Sequence, residues 1–131
     1  MAVVETRYGS VEGIEAEGLQ IFKGIAYARS PAGPMRWRPP EPPAHWSGVR
    51  PARAFGPCSW QPAELPDLLT TLVSTAVPFD EDCLTLNIWT PGVDTLGRPV
   101  MVWIHGGAFF IGSGSQSIYD EPHWPGAATQ S

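Results

Sequence analysis

The sequence predicts an α/β fold built on a mixed sheet, mostly β in this stretch, with a long proline-rich meander. Two strand patterns and the link between them carry that expectation. "CLTLNIWT" alternates Leu84, Leu86 and Ile88 against Thr85, Asn87 and Trp89, the period of two that marks a strand with unlike faces. "PVMVWIHG" is instead a continuous apolar run, as expected for a strand buried on both faces of a sheet. Only "PGVDTLGR" joins them, too short for a crossover helix, which takes about a dozen residues or more. The two strands are therefore expected to pair antiparallel, in a sheet that becomes parallel further along.

The earlier elements follow the same logic. "VVETRYGSVEGIEA" reads as two short strands about a turn at Tyr8-Gly9, where glycine supplies a left-handed backbone. "LQIFKGIAYA" is a third β-rich piece. Of the 15 prolines most lie between Pro31 and Pro66, and each fixes φ and removes a hydrogen-bond donor, so this third of the chain is extended coil. Within it, "SPAGPMRWRPPEPPAHWSGV" is a meander whose anchors should be Trp37 and Trp46, because large aromatic rings need burial. "LPDLLTTLVSTAV" fits a helix only weakly, and a lid-like loop equally.

Composition narrows the function classes. At 131 residues the chain is the size of one ordinary domain, and 43% hydrophobic residues suffice for a core. A net charge of −5 without any Lys/Arg run argues against nucleic acid and anionic membrane as partners. No apolar stretch approaches the roughly 20 residues that span a bilayer. "MAVVETRYGS" has neither a basic start nor an apolar h-region, so a cytoplasmic setting is expected. Cys58, Cys83 and three scattered histidines have no zinc-ligand spacing, and neither metal nor cofactor is expected.

The apolar run breaks into "HGGAFFIGSGS", and glycines directly after a buried strand serve three chemistries. A phosphate loop needs Gly-Lys-Ser/Thr, and no lysine follows Gly106. A dinucleotide fingerprint needs G-x-G-x-x-G, which Gly112 and Gly114 do not supply. The third is an oxyanion hole of the HGGG type, which "HGGAF" fits with alanine at the third glycine position. There the backbone comes close to the substrate, and N–H groups of the loop point at a developing alkoxide. One such donor is worth about 3 kcal/mol of transition-state stabilisation.

"GIAYARSPAGPMRWRPPEP", "FGPCSWQ", "EDCLTLNIWTP", "PVMVWIHGGAF" and "GSGSQSIYD" occur in that order. The series, from about Val3 to Asp120, resembles the type B carboxylesterases. "EDCLTLNIWTP" is its most specific piece. The resemblance implies the N-terminal part of an α/β-hydrolase domain over 1–120, acting on a small carboxylic ester. It implies an oxyanion loop at Gly106, Gly107 and Ala108, with Phe109 shaping the acyl pocket. Arg36 and Glu81 match an ion pair that ties the meander to the start of a strand. Cys58 and Cys83 match the cysteines that close an Ω-loop by a disulfide, although a chain without a leader favours two thiols. His105 is read as ending the strand and supporting the loop, a structural part.

A serine esterase also needs a nucleophile on a G-x-S-x-G elbow, an acid and a histidine. No G-x-S-x-G occurs in the sequence, and Ser113, Ser115 and Ser117 sit on no such elbow. In the family all three catalytic groups lie beyond Asp120. The chain therefore carries no catalytic residue of its own and needs the C-terminal part of the fold. The reading from a different class is a non-catalytic binding module of the same fold.

Residues 121–131, "EPHWPGAATQS", resemble nothing in the family, whose members here read Gly-x-x-Leu-Ala-x-x-Gly-Asp before a valine-rich strand. His123-Trp124-Pro125 must be coded CAY-TGG-CCN, and one base earlier this reads YTG-GCC, Leu-Ala for every synonymous choice. A G restored in front of Glu121 returns the glycine, and the later codons permit Gly-Asp and Val at the family spacing. The tail is expected to be family sequence read one base out of frame.

Overall fold

The computed structural model describes residues 1–62, 77–116 and 119. Its strands are β1 (Val3–Thr6), β2 (Gly9–Glu12), β3 (Ile14–Ala16), β4 (Leu19–Ala26), β5 (Val49–Pro51) and β6 (Thr85–Thr90). They form two three-stranded sheets, ordered β1-β2-β5 and β3-β4-β6. β2 and β5 run parallel, and the other pairs are antiparallel. A single 3-10 turn, Gly33–Met35, interrupts the meander among the described residues. Residues 65–76, where the sequence allowed a helix or a lid, lie outside the described residues, as does the tail from 121.

The first hairpin turns one residue earlier than the sequence suggests. Thr6 pairs with Gly9, so Arg7 and Tyr8 make the turn. Thr6 closes it with its side chain: Oγ1 donates to Gly9 O at 2.7 Å and accepts from Tyr8 N–H at 3.2 Å. Gly9 has φ 149°, not the left-handed turn value expected of it. Its lack of a side chain serves packing, since a Cβ there would lie 2.5 Å from the Trp46 indole. The left-handed pair occurs in the next hairpin, where Glu17 (φ 52°) and Gly18 (φ 76°) join β3 to β4. Positive φ at both positions is the turn geometry that suits the right-handed twist of strands.

The core lies under β2 and β4. Ala2, Val11, Phe22 and Ala52 are buried together, with Val4, Ile25 and Trp46 packed on them. Trp46 anchors the meander as expected: its Nε1–H donates to Ser10 O at 2.9 Å and the Arg50 guanidinium lies 4.4 Å from its ring centre. Trp37 does not. It is 96% exposed and sits at φ 62°, on the turn that follows Met35. The ring finds no cover among the described residues.

β6 forms where its alternation predicts, but its partner is β4, with a bulge between Phe22 and Ile25. The bulge frees the Gly24 N–H, which donates to Asn87 Oδ1 at 2.9 Å. Lys23 lays its ammonium 4.1 Å from the Phe55 ring centre, a cation held against an aromatic face.

The expected antiparallel pairing of β6 with residues 99–106 is not formed. That segment belongs to no strand, and Val100, Met101, Val102 and Ile104 are each at least 70% exposed. A strand that is apolar on both faces is stable only with neighbours along its edges and layers over its faces. The described residues provide neither. The isolated chain is therefore expected to self-associate through this segment, an apolar edge that templates further pairing. Light scattering on the purified chain should find assemblies rather than monomer, and Val102→Lys with Ile104→Lys should shift the distribution toward monomer. A monomeric wild-type sample would contradict this.

Candidate active site

The glycine loop is built by an unusual run of backbone angles. Gly107 (φ 123°), Ala108 (φ 53°) and Phe109 (φ 66°) are consecutive positive-φ residues. For alanine and phenylalanine that region costs on the order of 1–2 kcal/mol each, and such strain concentrates at functional sites. The turn is closed by Phe110 and Ile111, whose N–H groups both donate to Gly107 O at 3.1 Å. The chain then doubles back on itself. A Cβ on Gly107 would lie 1.8 Å from Ile111 O, and one on Gly112 would lie 2.7 Å from Gly106 O. Only glycine fits at either position.

The N–H groups of Gly106, Gly107 and Ala108 donate to no protein acceptor among the described residues. The loop thus presents consecutive donors beside an exposed edge. Phe109 is fully exposed next to them, so the described residues leave the acyl pocket expected of it without walls. His105 has its Nδ1 2.7 Å from Gly106 O and packs against Gly112.

Behind the loop lies a hydrogen-bonded group that sequence reasoning did not single out. Gln61 bonds both ends of its amide to Gly112: Nε2–H to the carbonyl at 2.8 Å, and Oε1 to the N–H at 2.9 Å. Ser113 and Ser115 hydroxyls are 2.8 Å apart, and the Cys58 thiol is 3.4 Å from Ser115 Oγ. Gln61 sits in the quoted "FGPCSWQ", but a glutamine in a loop has no motif that would announce it.

The disulfide implied by the resemblance is not made. Cys58 and Cys83 are not joined to each other. Cys58 is buried and turned toward Ser115, while burial pushes the Cys83 thiol above its ordinary range. Among the described residues no three His, Cys, Asp or Glu side chains gather as a metal-binding group, and no helix is long and apolar enough to cross a membrane.

Away from the loop, Arg36 Nη2 lies 2.5 Å from Glu81 Oε1, joining the turn after Gly33–Met35 to the approach to β6. The hydrogen bond from Arg36 holds the Glu81 carboxyl below its ordinary range, helped by a backbone hydrogen bond with Gly33. A carboxyl whose folded pKa is depressed contributes stability above its unfolded pKa and loses it as pH falls through the folded value. The pair is solvent-exposed, so its contribution is small. Glu81→Gln is therefore expected to flatten the acid limb of the stability profile below pH 4.5, the carboxyl's ordinary value, and to change the neutral melting temperature little. Thermal melts of both proteins across that range check this.

Residues 1–123 match the family described as the Carboxylesterase family. The chain belongs to the carboxylesterase family. Phenmedipham hydrolase of Pseudarthrobacter oxydans is 46% identical over 117 residues, which are 89% of this chain and 24% of that protein. Para-nitrobenzyl esterase of Bacillus subtilis is 43% identical over 118 residues, 90% of this chain and 24% of the esterase. Among solved structures, a Geobacillus stearothermophilus carboxylesterase superposes with a TM-score of 0.76 at 50% identity, covering 90% of this chain and 22% of that one. The chain thus spans about a quarter of the carboxylesterases it matches, and its strands are the N-terminal portion of their α/β-hydrolase fold.

Proposed function

We propose that this chain carries the oxyanion-stabilising loop of a carboxylic-ester hydrolase. The N–H groups of Gly106, Gly107 and Ala108 are the donors. When an attacking oxygen adds to the ester carbonyl, the carbonyl oxygen becomes an alkoxide. Backbone donors already aimed at that position stabilise it without reorganising, by about 3 kcal/mol for one donor. The observation that carries this reading is the positive-φ run Gly107–Phe109, together with three N–H groups that have no protein acceptor among the described residues. Phe109 borders the acyl side. The substrate class is a small carboxylic ester, supported by the para-nitrobenzyl esterase and carboxylesterase relatives.

The nucleophile, its acid and its histidine belong to polypeptide other than this chain, which has no G-x-S-x-G. The test is a graft in which residues 1–119 replace the matching quarter of the Bacillus subtilis para-nitrobenzyl esterase. Retained hydrolysis of para-nitrophenyl esters is expected. A folded graft without activity would count against the reading.

Residues 121–131 are, in the same reading, family sequence read out of frame. The gene decides this. A single restored base after the Asp120 codon should open a frame reading Gly-x-x-Leu-Ala-x-x-Gly-Asp and leading to a G-x-S-x-G elbow, and the absence of such a frame would refute it.

A further inference from the structure

We propose that Gln61 is a positioning residue for the glycine loop, holding Gly112 so that Gly106 and Gly107 present their N–H groups in one fixed orientation. The proposal rests on the oxyanion reading of that loop and adds the part that keeps it in place. Both hydrogen bonds from the Gln61 amide go to one residue, at 2.8 Å and 2.9 Å, as a neighbouring strand would bond it. That residue is the one whose Cα backs on Gly106 O, and the preceding carbonyl, Ile111 O, abuts Gly107. The segment 105–112 belongs to no strand, and among the described residues its turn is closed by two backbone bonds onto Gly107 O. The Gln61 side chain thus ties the returning limb of the loop to the segment that contains Cys58, 51 residues away in sequence. A loop strained at Ala108 and Phe109 would otherwise relax, and loss of a fixed geometry is felt most in the transition state.

A glutamine is suited to this task because its planar amide carries N–H donors on one side and an acceptor oxygen on the other. Glutamate keeps the shape but sets a carboxylate oxygen against the Gly112 carbonyl. Protonating that carboxyl returns a donor. Methionine keeps the length and loses both bonds.

The experiment uses the grafted esterase described above, with Gln61→Met, Gln61→Glu and Gly107→Ala. Gln61→Met is expected to lower kcat at least tenfold with KM within twofold and the melting temperature within a few degrees. Gln61→Glu should show a similar loss at neutral pH, and its kcat relative to wild type should recover as pH falls and the carboxyl protonates. The relative kcat of Gln61→Met should stay flat over the same range. Wild-type kcat in Gln61→Met would overturn the proposal, as would a common fall in kcat, apparent affinity and melting temperature, which marks a general folding role. Gly107→Ala separates the two readings. If it abolishes turnover while Gln61→Met does not, the oxyanion reading stands and the clamp fails. If neither variant affects kcat, both fail.

Discussion

The 131-residue chain alone is expected to hydrolyse para-nitrophenyl acetate no faster than buffer. Hydrolysis by this family's fold divides the work between an attacking group and a site that receives the negative charge, and in the proposed reading this chain supplies only the second. Removing the serine of a hydrolase costs about 10⁶ in kcat, and what survives is the electrostatic contribution of the oxyanion site and substrate binding. Here even that remainder is reduced. The donors of Gly106, Gly107 and Ala108 border the open edge at 100–104, where water competes for the alkoxide and weakens each bond. Ser113 and Ser115 do not substitute for the nucleophile: their hydroxyls bond each other at 2.8 Å, with the Cys58 thiol next in line and, among the described residues, no imidazole in the group. Turnover by the pure chain that a serine-directed organophosphate abolishes would overturn this expectation.

In the grafted esterase, Gly107→Ala is expected to lower kcat by about 10²–10³-fold, the effect of losing one oxyanion donor, while KM changes little. The added Cβ would lie 1.8 Å from Ile111 O, far inside contact distance, and its neighbour is backbone, which cannot swing aside. The turn must open, and the N–H groups of Gly107 and Ala108 turn with it. Ala108→Gly is the contrasting variant. It keeps the N–H, relieves the strain at φ 53° and restores the HGGG pattern. Its kcat should match that of the parent, and its stability should rise by about 1 kcal/mol. Steady-state kinetics and thermal melts on the two variants check both statements, and equal kcat for Gly107→Ala and the parent would refute the assignment of donors.

Much of the site was legible in the chain as written. The alternation of β6 and the turn-forming glycines are local patterns, each set by a few neighbouring residues, and the "HGGAF" of the sequence reading lies on the positive-φ turn of the structure. Arg36 and Glu81 were legible only through family resemblance, because nothing in a separation of 45 residues announces a contact. The turn at Arg7-Tyr8 was missed by one residue. Gly9 looks like a turn former from its neighbours, whereas what requires glycine there is the approach of Trp46 from 37 positions away.

By itself the sequence determined that a glycine-rich loop follows the apolar run, that β6 would form, and that the chain holds no nucleophile elbow. Those follow from glycine spacing, from the period of the side chains, and from the absence of a G-x-S-x-G. Tertiary structure alone decided which tryptophan is covered, which strand β6 pairs with, that Cys58 faces Ser115, and that Gln61 holds Gly112. Each of these depends on which backbone groups are left unpaired once distant segments meet. The run at 100–104 shows the division most clearly: its apolarity states that it needs covering on both faces, but only neighbouring strands and helices can provide the cover, and a sequence pattern records the need without the partner.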